Sequence, residues 1–138
     1  MAYTSPVYSL RQYVYSTTDK IAQNLEPSTL TSGTYTKIKE MKLELKIYPD
    51  VPRLYTKFSL YNVNPAETTY GKVYRNGVPI GVEKSASQPA TVVWDELNVT
   101  LNRGDKLQIY AKTTNGSVGE VKNWYLYGFE QPFLNTLE

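Results

Sequence analysis

The groups able to do chemistry in this chain are carboxylates, lysines, hydroxyls and tyrosines, because its 138 residues include no His and no Cys. Without Cys there is no disulfide, thiolate zinc site, iron–sulfur cluster or cysteine nucleophile. Without His, the Ser-His-Asp triad, the usual zinc and haem ligand and the ordinary acid/base of neutral pH all disappear. Asp95-Glu96 is the adjacent carboxylate pair. Glycoside hydrolysis needs two carboxylates held about 5–5.5 or 6.5–9.5 Å apart across a sugar. Neighbours on a strand point to opposite faces, so this pair is badly arranged for that task and reads as solvated charge. Glu83 or Glu120 would have to complete a pair in three dimensions, and no spacing singles them out. Asp19, Asp50, Asp95 and Asp105 fall into no EF-hand or repeat-type calcium spacing. The expectation is therefore no catalytic residue, no cofactor and no metal beyond calcium.

Arg103-Gly104-Asp105 matches the integrin-binding tripeptide, but the same three residues suit a tight turn. Gly104 can take a positive φ, Asp105 can bond its own backbone, and a strand begins at Lys106. The lysines stand singly with acids among them, and Lys37-Lys39-Lys42-Lys46 reads as the wet face of one strand. With no basic run, nucleic acid is not an expected partner.

The aromatics are the unusual feature, with 13 Tyr in the chain. Tyr3, Tyr8, Tyr13 and Tyr15 lie in a polar N-terminal stretch, while Trp124, Tyr125, Tyr127 and Phe129 crowd the last strong strand pattern. Exposed aromatics can stack on sugar rings or bases, or anchor a protein interface. For Trp124, Leu126 and Gly128 on one face, the core is the expected place. Tyr3, Tyr8, Tyr13 and Tyr15, with Phe133, Leu134 and Leu137 of the C-terminal tail, are the expected partner-binding residues, because segments this aromatic have little core of their own.

The elements that must position these groups are strands. Met41, Leu43, Leu45 and Ile47 alternate with charged residues, and Leu54, Thr56, Phe58 and Leu60 alternate after the Pro49-Asp50-Val51-Pro52 break. Asn76-Gly77 between Tyr70–Arg75 and Val78–Val82 is a hairpin signal, since both central residues of a type I′ turn need positive φ. Asn115-Gly116 is expected to be a second hairpin tip, between strands through Leu107–Ala111 and Val121–Phe129. Thr18 to Leu25 is the one helical candidate, with Asp19 as its cap. Met41, Leu43, Leu45, Ile47, Phe58, Leu60, Leu107 and Ile109 are the expected core. Eight or so short strands imply an all-β, jelly-roll-like antiparallel sandwich over residues 34 to 130. An aromatic, polar N-terminal arm (1 to 33) precedes it, and a short tail (131 to 138) comes after it.

An apolar content of 41% at this length suits one domain, and a net charge of +2 argues for no strong electrostatic partner. No apolar run is long enough to span a bilayer. Met1-Ala2-Tyr3-Thr4-Ser5-Pro6 has no basic leader, which implies no secretory signal and synthesis in the host cytoplasm. The sequons Asn98-Val99-Thr100 and Asn115-Gly116-Ser117 are then chance products of a turn-rich chain.

The stretch Gly71-Lys72-Val73-Tyr74-Arg75-Asn76-Gly77-Val78-Pro79-Ile80-Gly81 is followed by Trp94-Asp95-Glu96-Leu97 and by Arg103-Gly104-Asp105-Lys106-Leu107-Gln108-Ile109-Tyr110-Ala111. With Asn123-Trp124-Tyr125-Leu126-Tyr127-Gly128, these segments resemble β-sandwich modules in virion proteins of tailed phages and thermophilic viruses. The resemblance covers about residues 70 to 129. It implies a non-enzymatic subunit at the virion surface, a capsid decoration (cement) protein or other outer-surface subunit. Its implied partners are its own copies, in a homo-oligomer such as a trimer, and the major capsid protein, with no membrane. Similar sandwiches serve as carbohydrate-binding modules and receptor-binding fibre heads, which is the alternative. A lectin would need two or three coplanar aromatics on the outside of the sandwich.

Overall fold

The computed structural model describes residues 7–8, 20–43, 54–97, 99, 101–127 and 136–137. In chain order the strands are β1 (Val7–Tyr8), β2 (Lys20–Asn24), β3 (Ser28–Leu30), β4 (Thr36–Lys42), β5 (Leu54–Asn62) and β6 (Thr69–Arg75). They continue with β7 (Val78–Pro79), β8 (Lys84–Ala86), β9 (Thr91–Leu97), β10 (Lys106–Thr113), β11 (Gly119–Tyr127) and β12 (Thr136–Leu137). No helix occurs among the described residues.

Ten of these strands build two antiparallel sheets packed face to face as a sandwich. One runs β4-β10-β6-β7 with β8 also on β6, and the other runs β2-β11-β5-β9 with β3 also on β11. Alternation decides which side chains meet between them. From the first sheet come Met41, Val73, Leu107, Ile109 and Ala111; from the second come Phe58, Leu60, Leu97, Val121, Trp124 and Leu126, all buried. Expected core residues Met41, Leu43, Phe58, Leu60, Leu107 and Ile109 are in this cluster, and Leu45 and Ile47 lie outside the described residues. Gly71 lets the sheets pack closely, since a Cβ there would stand 3.0 Å from the Phe58 ring and 3.1 Å from a Leu60 methyl.

Asn76 and Gly77 have φ of 51° and 84° and join β6 to β7, the hairpin that type I′ geometry demands. Asn115 and Gly116 have φ of 50° and 67°, yet they are not a hairpin tip. They lead from β10, the middle of one sheet, to β11, the middle of the other. Thr18 to Leu25 is not a helical turn, because Lys20–Asn24 is strand β2, paired with β11 from Asn24↔Trp124 to Lys20↔Tyr127. A segment this short cannot repay helix nucleation, whereas β11 offers it a complete hydrogen-bond ladder. Strands β2 and β3 thus lie within the stretch read as an arm, and they serve the second sheet.

Lys39 departs from the expected wet face of its strand. It is two residues from Met41 and so on the inner side of the strand, opposite Ile109 and only 4% exposed. The register shift between Ile109 and Tyr110 comes after this pair and turns Lys37 outward. The Lys39 ammonium donates to Asn24 Oδ1 at 3.0 Å and to the Glu26 carbonyl, tying β4 of one sheet to the β2–β3 edge of the other. Burial lowers its pKa. Lys37 and Lys42 are exposed as expected, and Lys46 lies outside the described residues.

Candidate functional site

The second sheet turns an aromatic face to solvent. Strand register sets its rows: Tyr125 stands beside Lys57, and Lys57 beside Trp94. The row on one side is Tyr127, Tyr55 and Glu96; on the other it is Lys122, Ser59 and Val92. One backbone feature puts the tyrosines there. The β11–β5 register shifts between Lys122 and Tyr125, and Asn123 within the shift has a φ of 54°. An extra residue in one strand reverses every later side chain. Trp124 and Leu126 therefore enter the core, and Tyr125 and Tyr127 face outward. Asn123 N–H donates to the Leu25 carbonyl at 3.2 Å, which holds the bulge to the adjoining edge.

Beneath this face a buried hydrogen-bond chain fixes the strand. Trp124 Nε1–H donates to Thr56 Oγ1 at 2.8 Å, and the Thr56 hydroxyl donates to the Tyr125 carbonyl at 2.8 Å. Over it the aromatic rings gather round one cation. Lys57 Nζ lies 5.1 Å from the Trp94 ring centroid, 5.1 Å from that of Tyr125 and 5.6 Å from that of Tyr127. Trp94 and Tyr127 stack at 5.7 Å with planes 28° apart, and Tyr125 and Tyr127 lie 5.9 Å apart at 33°. Cation–π attraction gives the lysine and the rings a fixed arrangement. Trp94 remains 42% exposed on the edge strand β9. Alongside runs a shallow groove of about 230 Å³ lined by Lys57, Ser59, Val92, Asn123 and Tyr125. It offers the Tyr125 ring and Val92 with hydroxyl, amide and ammonium groups at their margin, and no carboxylate lines it.

The other candidates resolve into structural roles. Asp95 points into the sandwich, where its carboxylate accepts from the Val82 N–H at 2.8 Å, while Glu96 belongs to the outer face. The pair is divided between faces, as strand geometry requires. Glu83 accepts from the Tyr35 hydroxyl and lies 3.9 Å from Lys112, whereas Glu120 lies 3.9 Å from Lys122, so neither faces Asp95 as a partner. In Arg103-Gly104-Asp105, Gly104 has a φ of 93°. The Asp105 carboxylate accepts from Asn102 N–H at 2.8 Å and from Asn76 Nδ2 at 3.2 Å, so the turn itself uses it. Among the expected partner-binding residues, Tyr8 is in β1 and Leu137 in β12, which pair as Val7↔Leu137 and Tyr8↔Thr136. Tyr3, Tyr13, Tyr15, Phe133 and Leu134 lie outside the described residues.

Lys57, Trp94 and Ser59 were not singled out from the sequence as site residues. Their signal was the position of each on the polar side of a period-two run, which an alternation count reads as solvent rather than surface chemistry. Tyr125 and Tyr127 were noted as unusual, and Trp124 and Leu126 are buried as expected, which leaves those tyrosines outward.

No family model matches the chain, and no curated protein matches its sequence. Among solved structures, the insecticidal delta-endotoxin Cry8Ea1 from Bacillus thuringiensis is similar with a TM-score of 0.51 at 11% identity, over 75% of this chain and 20% of that one. The N-terminal CBM22-1-GH10 modules of Clostridium thermocellum xylanase 10B, complexed with xylohexaose, give 0.50 at 10% identity, over 80% of this chain and 29% of that one. The CBM22-1 xylan-binding domain of Paenibacillus barcinonensis Xyn10C gives 0.46 at 7% identity, over 80% and 94%. The chain spans less than a third of the toxin and xylanase chains. At these identities the likeness is one of fold: the β-sandwich.

Proposed function

We propose that this chain is a non-catalytic carbohydrate-binding domain that holds a neutral glycan against the Trp94–Lys57–Tyr125 row. The observation that carries the reading is Trp94, 42% exposed on an edge strand, in one cross-strand row with Tyr125. A sugar ring presents axial C–H groups to an aromatic face and hydroxyls at its rim. The groove offers the Tyr125 ring with Ser59, Asn123 and Lys57 around it, and Trp94 stands at the end of the same row. The rings are held before any ligand arrives, by the stack with Tyr127 and by the lysine, so little ordering entropy opposes binding. The shared fold with a xylanase fragment whose modules are described as complexed with xylohexaose is in keeping with this reading.

The test is affinity electrophoresis of the full chain through gels containing soluble xylan, mixed-linkage glucan or hydroxyethylcellulose. Retardation is expected in at least one, and Trp94→Ala should weaken it roughly tenfold or more, the equivalent of about 1.4 kcal/mol. Equal mobility of wild type and Trp94→Ala in every gel would sink the proposal.

A second reading keeps the virion setting, supported by the sequence resemblance over residues 70 to 129. In it the chain is an outer-surface subunit of a particle, either a decoration protein or a receptor-binding head that uses the same aromatic face. Mass measurement in solution, alone and with purified capsids, tests it; a monomer that ignores capsids would remove it.

A further inference from the structure

The opposite outer face has different chemistry. On the first sheet, register places Lys37 beside Tyr110 and Tyr110 beside Lys72, with Lys112 beside Tyr70 in one neighbouring row and Lys42 beside Lys106 at the far end. Five lysines thus share the face with two acids, Glu40 and Glu83. Glu40 lies 3.0 Å from Lys37 and Glu83 lies 3.9 Å from Lys112. Among the described residues, no carboxylate comes within ion-pair distance of Lys42, Lys72 or Lys106. The aromatic face of the second sheet balances its charges instead, with Lys57 and Lys122 against Glu96 and Glu120.

The tyrosines of this lysine-rich face are already engaged with one another and with the lysines. Tyr74 and Tyr110 stack at 3.9 Å with planes 17° apart. Lys112 Nζ lies 4.8 Å from the Tyr35 centroid and 5.1 Å from that of Tyr70, and Lys72 Nζ lies 5.3 Å from Tyr35. Tyr35 is further fixed by its hydroxyl bond to Glu83, and burial and that bond raise its pKa. Beside Lys112 and Tyr70 opens a groove of about 430 Å³, completed by Gly33, Thr113, Thr114 and Asn115.

We propose that this face is a second binding surface, separate from the aromatic one, for an anionic polysaccharide bearing carboxylate or sulfate groups. Lys72 and Lys112 are anchored on ring faces, so their ammonium groups are presented at set positions rather than left to wander. The excess of lysines over acids matches a chain with a negative group on successive sugars. At the end of the groove the Thr114 hydroxyl and the Asn115 amide both donate to Glu67, so the turn itself uses these groups and the lysines are left as the groups offered to a ligand. Single-stranded nucleic acid, the other polyanion, binds by stacking its bases on open aromatic faces. Here lysine or a neighbouring tyrosine occupies those faces, which favours the polysaccharide.

The experiment measures binding of the full chain to polygalacturonate, to its methyl-esterified form and to poly-uridylate at two salt concentrations. Polygalacturonate should bind, its ester at least tenfold more weakly, and binding should fall steeply with salt. A Lys72→Gln/Lys112→Gln variant should lose tenfold or more, and the exposed pair Lys42→Gln/Lys106→Gln should lose affinity without any change in melting temperature. Trp94→Ala should leave polygalacturonate binding intact, and the lysine variants should leave neutral-glycan binding intact. These arms separate this proposal from the one made for the Trp94 face. Equal binding of polygalacturonate and its ester, loss of polygalacturonate binding in Trp94→Ala, or tighter binding of poly-uridylate through the same lysines would each overturn it.

Discussion

Replacing Thr56 by Val tests how the floor of the aromatic face is held. Valine keeps the shape of threonine and removes the hydroxyl. Thr56 and Trp124 are both fully buried, so no water replaces the lost partner. The indole N–H, now 2.8 Å from Thr56 Oγ1, becomes an unsatisfied buried donor, and the Tyr125 carbonyl loses the hydroxyl bond. An orphaned buried donor costs about 1–3 kcal/mol and a lost ordinary hydrogen bond about 1 kcal/mol, so Thr56→Val should destabilise by roughly 2–4 kcal/mol. Urea unfolding with an unchanged m-value measures this directly. In a Trp124→Phe background there is no N–H to orphan, and the same substitution should cost only about 1 kcal/mol, a coupling of roughly 1–3 kcal/mol. Equal cost in both backgrounds would refute the reasoning, because the hydroxyl would then not be serving the indole.

Three further outcomes are expected. Ile109→Ala, in the middle of β10 and fully buried, should lose ~2–5 kcal/mol in the same unfolding assay. Gly71→Ala pushes a methyl to within 3.0 Å of the Phe58 ring and should cost roughly 1–3 kcal/mol through overpacking, seen as a lowered melting temperature. Glu67 has its pKa lowered by hydrogen bonds from the Thr114 hydroxyl and the Asn115 amide. Its ionised form is therefore favoured by folding. The stability it brings is complete above the ordinary glutamate range and is lost as pH falls through its lower folded value. Melting measured against pH should show a shallower acid limb in Glu67→Gln than in wild type.

The sandwich was readable because the inner faces of strands such as β5 and β10 obey a period of two. Leu107, Ile109 and Ala111 in β10, or Phe58 and Leu60 in β5, need no tertiary knowledge to be placed. Asn115-Gly116 shows where that reading stops. Residue types dictate the positive φ of both positions, and they have it; they do not dictate which sheet the next strand joins. Strand β2 is a polar run whose identity comes from its partner β11, so a local pattern could not find it. The aromatic face was hidden for a third reason. Trp124 and Leu126 were expected in the core and are there, which turns Tyr125 and Tyr127 outward. Lys57, Trp94 and Tyr125, however, are far apart in sequence, and only the register of β11, β5 and β9 brings them into one row. Lys39 was legible and was missed, since alternation puts it on the same face as Met41 and Leu43; the register shift comes after it and turns Lys37 outward.

The turn at Asn115-Gly116 also bears on how the chain finds its fold. It joins an inner strand of one sheet to an inner strand of the other, as the link from β5 to β6 also does, so the two halves of the sandwich are tied near their middles by a tight corner. Closing a loop costs entropy that rises with the logarithm of its length, and this closure is among the least costly available between the sheets. Each of the two strands then presents open edges on both sides, onto which β4 and β6, or β2 and β5, can add. The slow, long-range pairings typical of sandwiches thus have a local template to add to. Lengthening the corner with glycines would raise the entropy of that first closure and leave every later strand pairing its own contacts.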